Sequence, residues 1–339
     1  MVGSAGASAQ DRRWEVEVYG GAVASRAASD GKQTLPPPGA AIVTSSPLFP
    51  SREVPSWFFG DGATLVNGVS EEFQAPSRIA PLDPLFARAG GGVTGAAGAR
   101  VRRALSDRTT MEMGVDFLGS APVAPADAAA TVEAARASFA GTFTDLLRSG
   151  PFTAVSVDAT AAVNGAKRRE LAATVAFNGD LGTLGPLTPY VTFGGGILTG
   201  TGAEPSAQVT GRYRFSVLGQ VPIDETDRVT VHFERPIAFT AVIGAGLRKN
   251  VTEQWGLRFD VRAFVGPDST RIRVTADPAV AHGTPGGFVE SFTNPSIQFS
   301  NDPSLGRRSS LNATPLDSVV FEGGIQARTL VTFAVSRRF

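Results

Sequence analysis

Apolar and polar residues alternate one by one in eight separate stretches of this chain, the period of a strand with one apolar face. The plainest is the last, residues 327–339. There Thr329, Val331, Phe333, Val335 and Phe339 share a face, and the run closes on an aromatic. The first, residues 12–23, sets Trp14, Val16 and Val18 against Glu15, Glu17 and Tyr19. Residues 96–105 and 109–119 follow, joined by a tight Ser106-Asp107-Arg108 turn. In the second of them Met111, Met113, Val115 and Phe117 oppose Glu112, Gly114 and Asp116. Residues 168–178 and 189–199 supply the fourth and fifth strands, the fifth interrupted by Gly194-Gly195-Gly196, which marks a place where neighbouring strands crowd or bend. The sixth and seventh, residues 237–248 and 253–265, form a hairpin in which Trp255, Leu257, Phe259 and Val261 oppose Arg258, Asp260 and Arg262.

Charges at every second position behind a continuous apolar face fit poorly in a soluble sandwich, where they would be buried at a cost of several kcal/mol each unless paired. A barrel in a membrane resolves the conflict, with the apolar face meeting lipid and the charges filling the interior. Strands of about 10 residues have the length that crosses a bilayer at a tilt. The connections support the same arrangement. Those after the second, fourth and sixth strands are short, while those after the first, third, fifth and seventh are long, as expected for periplasmic turns and extracellular loops. Both termini then lie in the periplasm, and Trp14, Phe177, Trp255 and Phe339 form an outward aromatic girdle at the periplasmic boundary. The fold predicted is all-β: a closed, antiparallel, up-and-down transmembrane β-barrel of eight strands. Ten or twelve strands follow if loop segments also span, and a soluble all-β protein is the alternative fold.

The segments Trp14-Glu-Val-Glu-Val-Tyr-Gly-Gly21, the 105–117 hairpin, Pro189-Tyr-Val-Thr-Phe-Gly-Gly-Gly196, Gly256-Leu-Arg-Phe-Asp-Val-Arg262 and the terminal strand together resemble the eight-stranded OmpA-like and opacity-type outer-membrane barrels. Arg337 departs from that pattern, which favours an apolar residue two positions before the end. The resemblance covers about a third of the chain and leaves the long loops unaccounted for. It implies insertion by envelope chaperones and the barrel assembly machinery.

The loops carry structure of their own. Residues 127–148 place Val132, Phe139, Phe143, Leu146 and Leu147 at helical spacing, with Asp127 as the cap and Gly150-Pro151 as the stop. Residues 153–163, 208–218 and 228–234 read as extra hairpins above the membrane, the first ending at an Asn164-Gly165 turn. Trp57-Phe58-Phe59 forms a packed cluster, and Pro36-Pro37-Pro38-Gly39 a stiff connector. At the other end of the chain, Ala7-Ser8-Ala9 fits a signal-peptidase site. Residues 1–9 are thus expected to be a signal-peptide remnant or linker, and residues 10–339 one barrel domain.

Composition narrows the chemistry. The formal net charge is zero, which argues against a nucleic-acid partner, and there is no cysteine for a disulfide or a thiolate site. The 31 basic residues are almost all arginine. Two histidines, His232 and His282, fall in loops, near Glu234 and near Glu290 and Ser291 respectively, and neither set forms a recognisable catalytic motif. No metal, phosphate or cofactor motif is present, and the chain is expected not to be an enzyme. The strongest constellation is the inward face, where Glu15, Glu17, Glu112, Asp116 and Asp260 oppose Arg100, Arg102, Arg258, Arg262 and Arg338. An eight-stranded barrel is just wide enough for side chains to fill, so these residues are expected to plug it. The function expected is structural or surface-interactive, with lipid and a possible loop-bound partner as contacts. The alternatives are a small pore for solutes or ions and, third, a barrel-borne lipid hydrolase or acyltransferase.

Overall fold

The computed structural model describes residues 14–26, 31–36, 41–42, 51–52, 54–87, 91–122, 124–150, 152–165, 167–217, 223–268, 270–280 and 316–339. The expected signal-peptide remnant, the Pro37–Gly39 part of the connector, and His282, Glu290 and Ser291 lie outside them.

The described residues form sixteen strands and two α-helices. They run in the order β1 (Trp14–Ser25), β2 (Lys32–Gln33), β3 (Ala41–Ile42), β4 (Ser51–Arg52), α1 (Gly60–Glu72), β5 (Gly92–Ala104), β6 (Thr109–Pro122) and α2 (Ala128–Ser149). Next come β7 (Phe152–Asn164), β8 (Lys167–Asp180), β9 (Leu187–Thr201), β10 (Ser206–Val217), β11 (Ile223–Glu234), β12 (Ala238–Asn250) and β13 (Trp255–Pro267). The chain finishes with β14 (Arg271–Val280), β15 (Leu316–Glu322) and β16 (Ile325–Arg338), and a 3₁₀ turn at Asp83–Phe86 follows α1.

Eight of these strands close into an antiparallel barrel in the order β1-β16-β13-β12-β9-β8-β6-β5. They correspond one for one to the eight alternating stretches of the sequence. Closure between the first and last strands is complete, from Glu15 opposite Arg338 to Ser25 opposite Arg328. Backbone crowding explains the small residues of β9: a Cβ on Gly194 would stand 2.2 Å from the Val175 carbonyl oxygen, and one on Gly196 2.1 Å from that of Ala173.

Beyond the barrel the structure departs from expectation. The loop segments are not separate hairpins. They form one six-stranded sheet in the order β2-β15-β14-β11-β10-β7, which repeats the barrel order β1-β16-β13-β12-β9-β8. Each outer strand is therefore the continuation of a barrel strand past a short break, such as Gly202–Pro205 between β9 and β10 or Gly323-Gly324 between β15 and β16. Asn164-Gly165 is one of these breaks and not a hairpin turn. Gly165 takes φ +59°, and β7 pairs with β10 rather than with β8. β5 and β6 have no such continuation; their loops hold α1 and α2, and α2 packs on the sheet.

Sidedness inverts across the breaks. In the barrel the apolar residues point outward, and Phe239, Phe333 and Val18 are 80%, 69% and 60% exposed. In the outer sheet Val209, Tyr213, Phe215, Val231 and Phe233 point inward and are buried, while Arg212, Arg214 and Arg228 point out. Their core is completed by Trp57, Phe58, Phe139 and Phe143, with ring centroids 4.6 Å apart for Phe139–Phe143 and 5.0 Å for Phe143–Tyr213. The barrel thus has the polarity required in lipid, and the cap above it has that of a protein in water.

The charged barrel interior as the candidate functional site

Strand parity turns every acid of the barrel strands inward, and closure brings those acids against arginines from other strands. Arg100 (β5) reaches Asp260 at 2.8 Å, Glu17 at 3.2 Å and Asp116 at 3.3 Å. Arg258 (β13) reaches Glu112 at 2.8 Å, Asp260 at 3.0 Å and Glu17 at 3.3 Å. Arg262 joins Glu112 and Asp260 from the same strand, at 2.5 and 2.9 Å. Arg102 stands 3.4 Å from both Glu15 and Glu112. Arg338 lies lower and looser, 3.7 Å from Glu15 and bonded to Asn250, so it belongs to the edge of the group. Apart from Arg338 and Glu15, these side chains are at most 2% exposed. Four arginines thus face four carboxylates (Glu17, Glu112, Asp116, Asp260) in a space without bulk water. Such a group is tolerable only because its charges are paired, most of them with several partners; Asp116 has Arg100 and the Tyr19 hydroxyl.

Two tyrosines complete the network, and the sequence pattern did not single them out as members. Tyr19 lies opposite Gly98, donates to Asp116, and holds Arg100 4.0 Å above its ring. Tyr190 lies opposite Gly246, donates to Asp260 at 2.7 Å, and holds Arg258 4.3 Å above its ring. The glycines make room: a Cβ on Gly98 would come within 2.2 Å of the Tyr19 hydroxyl, and one on Gly246 within 2.1 Å of that of Tyr190. The same Tyr-Gly-Arg-Asp unit thus occurs twice in the lumen. Parity gave Tyr19 its inward face, but the pairing with a glycine across the sheet depends on register, which a single sequence does not display. Asn178 and Thr192 also join in, with Asn178 donating to Glu112 at 3.2 Å and Thr192 to Asn178 at 2.6 Å.

Two further layers close the lumen toward the cap. Two residues beyond Asp116 and Arg262 come Leu118 and Phe264, which pack with Val23, Leu198, Val242 and Leu330 in an apolar layer. At the rim Glu170 binds Arg235 and, at 3.2 Å, Arg328.

On the outer wall Trp14, Trp255 and Phe339 are exposed at the end that bears the short turns and both chain ends of the barrel, whereas Phe177 is half-buried against Phe193 at a centroid distance of 5.8 Å. Arg337 stands over Trp255 and Phe339, at 5.7 and 5.2 Å, where the barrel pattern led one to expect an apolar residue. In the cap His232 points outward, 3.3 Å from Thr275, and its neighbour Glu234 pairs with Arg273 instead. Two acids face the cap core. Asp227 accepts from Ser56 at 2.7 Å and from the Trp57 amide at 3.0 Å, and burial pushes its carboxyl up to about 6. Burial, with Asp227 beside it, also holds Glu225 well above the usual carboxylate range. Among the described residues no group of three His, Asp or Glu side chains is placed to hold a metal ion.

A closed barrel with an apolar outer band and a polar, filled interior is the form that spans bacterial outer membranes. The fold is that of an outer-membrane β-barrel. No protein-family model and no curated protein matches the sequence. Among solved structures the chain is similar to the outer membrane protease OmpT from Escherichia coli, at 8% identity over 96% of this chain and 97% of that one, with a TM-score of 0.25. It is also similar to a FadL homologue from Pseudomonas aeruginosa (6% identity, 96% and 90% covered, TM-score 0.18). A third is the Pseudomonas putida toluene transporter TodX (10% identity, 97% and 90% covered, TM-score 0.20). Likeness at this level assigns no activity. It does correct one expectation. A non-enzymatic chain was inferred from missing motifs, yet a protease is among these similar structures, so that exclusion is withdrawn. The barrel belongs in the outer membrane.

Proposed function

We propose that this chain is a closed membrane anchor of the OmpA-like kind, which displays its folded cap at the cell surface for contact with an external partner. One observation carries the reading: the lumen is filled in three successive layers, ionic, apolar and ionic, and the cap has its own aromatic core above them. A pore needs a continuous wet path, and the near-complete burial of the described lumen side chains argues against one. The cap, by contrast, is built as a water-soluble surface. Its outward face mixes Arg212, Arg214, Arg228 and Arg273 with Asp158, Asp224, Asp277 and Asp317. Folding into the membrane would use the envelope chaperones and the barrel assembly machinery.

The chain has no cysteine, which makes the test simple. A single cysteine at Arg214 in the cap should react with a membrane-impermeant thiol reagent on intact cells. One at Asp107, in the short turn between β5 and β6, should react only after the outer membrane is opened. Labelling of Asp107→Cys on intact cells, with Arg214→Cys protected, would reverse the orientation and end the display reading.

A further inference from the structure

The outer wall of the barrel carries charge of one sign only. Every described acid of the barrel strands points inward, whereas Arg103, Lys249 and Arg337 point outward at the periplasmic end, and Arg169 at the opposite rim. The three periplasmic cations sit on one contiguous arc of strands, β5-β1-β16-β13-β12. At the same end, β6, β8 and β9 present Met111, Phe177, Leu187 and Val191 instead.

Within the arc, arginine and aromatic residues interleave. Arg103 lies opposite Trp14 across the β1–β5 ladder, and Arg337 lies opposite Val16 on one side and Trp255 on the other. The last residue is drawn in by a bond from the Phe339 amide to the Trp14 carbonyl, 2.9 Å long. Each guanidinium rests on a ring: Arg103 is 5.3 Å from Trp14, and Arg337 stands over Trp255 and Phe339. No described carboxylate pairs with either, and Arg103 Nε is buried without an acceptor. A guanidinium held by its face keeps its N–H edge for an acceptor, and the fork matches a phosphate bidentately. At this depth the available acceptors are lipid headgroups, and an array of cations without acids selects anionic ones.

We propose that the Trp14–Arg103–Arg337–Trp255 surface binds the phosphate of an anionic phospholipid in the periplasmic leaflet. The proposal rests on the membrane orientation given above. It adds a stated ligand chemistry to one side of the barrel.

The test uses the chain's own fluorophores. Of its three tryptophans, Trp14 and Trp255 stand in the surface, and Trp57 is buried in the cap as an internal reference. The full chain is inserted in phosphatidylcholine vesicles, and insertion is confirmed by heat-dependent gel migration. Brominated phosphatidylglycerol is then titrated against brominated phosphatidylcholine. Quenching should favour phosphatidylglycerol by about 30-fold in effective affinity, from two cations near an anionic headgroup. The preference should fall to near parity in Arg103→Gln/Arg337→Gln and persist in Arg169→Gln. Inorganic phosphate at matched concentration should not displace the lipid. Equal quenching by the two lipids in the unsubstituted chain overturns the proposal, as does a preference that survives the double substitution. Displacement by free phosphate would assign the site to a soluble anion instead. If the double variant does not insert, the unsubstituted chain's lipid preference still decides. Failure to insert at all would count against the membrane reading rather than against the lipid site.

Discussion

Replacing Arg258 by leucine removes the guanidinium that serves Glu112, Asp260 and Glu17 together, at 2.8, 3.0 and 3.3 Å. The change leaves Arg100, Arg102 and Arg262 facing Glu17, Glu112, Asp116 and Asp260, so a neutral set of four against four becomes one net negative charge. The lost side chain is 1% exposed, so bulk water cannot screen the imbalance. Breaking a buried pair in this way costs about 3–5 kcal/mol, mainly because the partner is left charged and unpaired. Arg258→Leu should therefore lower the stability of the inserted barrel by about that amount, read as the urea midpoint in lipid vesicles. Adding Glu112→Gln restores three against three. The double variant should be more stable than Arg258→Leu alone, a reversal that simple loss of contacts would not produce. Stability of Arg258→Leu within about 0.5 kcal/mol of the unsubstituted chain, the range of a surface change, would refute the reasoning. It would show that the lumen is wet and that its charges are solvated individually.

Other parts of the structure give separate tests. Gly98→Ala and Gly246→Ala should each cost about 1–3 kcal/mol by overpacking against Tyr19 and Tyr190, while Gly95→Ala, with open space around its Cβ, should be neutral. Phe139→Ala should weaken the cap by about 3–5 kcal/mol, seen as faster proteolysis of α2, with the barrel still migrating as a folded species in unheated gels. Burial raises the Asp227 carboxyl from its ordinary 3.8 to about 6, so the folded state holds that proton more tightly than the unfolded one. The Asp227 contribution should accordingly lower cap stability by about 3 kcal/mol as pH rises from about 4 to 6, and Glu225 adds a decline of its own that starts in the same range and continues above it. Asp227→Asn should remove the Asp227 share of that fall and leave the Glu225 share, measured by urea titration of the cap.

The barrel was legible because its signal is local. Glu15 and Glu17 between Trp14, Val16 and Val18, or Arg258 and Asp260 between Leu257, Phe259 and Val261, state both the period and the two environments within a few residues. Boundaries blurred where that contrast fades, as at Gly92–Gly95, which precede the predicted start of the second strand. The cap was not legible as a sheet, because its strands come from different loops and pair at long range. Leu316–Glu322 reads Leu-Asp-Ser-Val-Val-Phe-Glu and carries no clean alternation. α1 holds Gly60, Gly62 and Gly68, poor helix formers, and owes its form to packing of Val66 and Val69 in the cap core. In the lumen, parity decides which face a charge occupies but not its height. The sharing of Arg100 among Glu17, Glu112, Asp116 and Asp260, and the two tyrosine units, therefore had no counterpart in the sequence pattern.

The most direct test of a closed anchor is electrical. Purified, heat-modifiable protein inserted in a planar bilayer should give no discrete conductance steps at moderate voltage, with or without the Phe139→Ala substitution that loosens the cap. Reproducible steps of one size from the unsubstituted chain would mean that ions pass Arg100, Arg258 and the apolar layer above them, and the lumen would then be a pore.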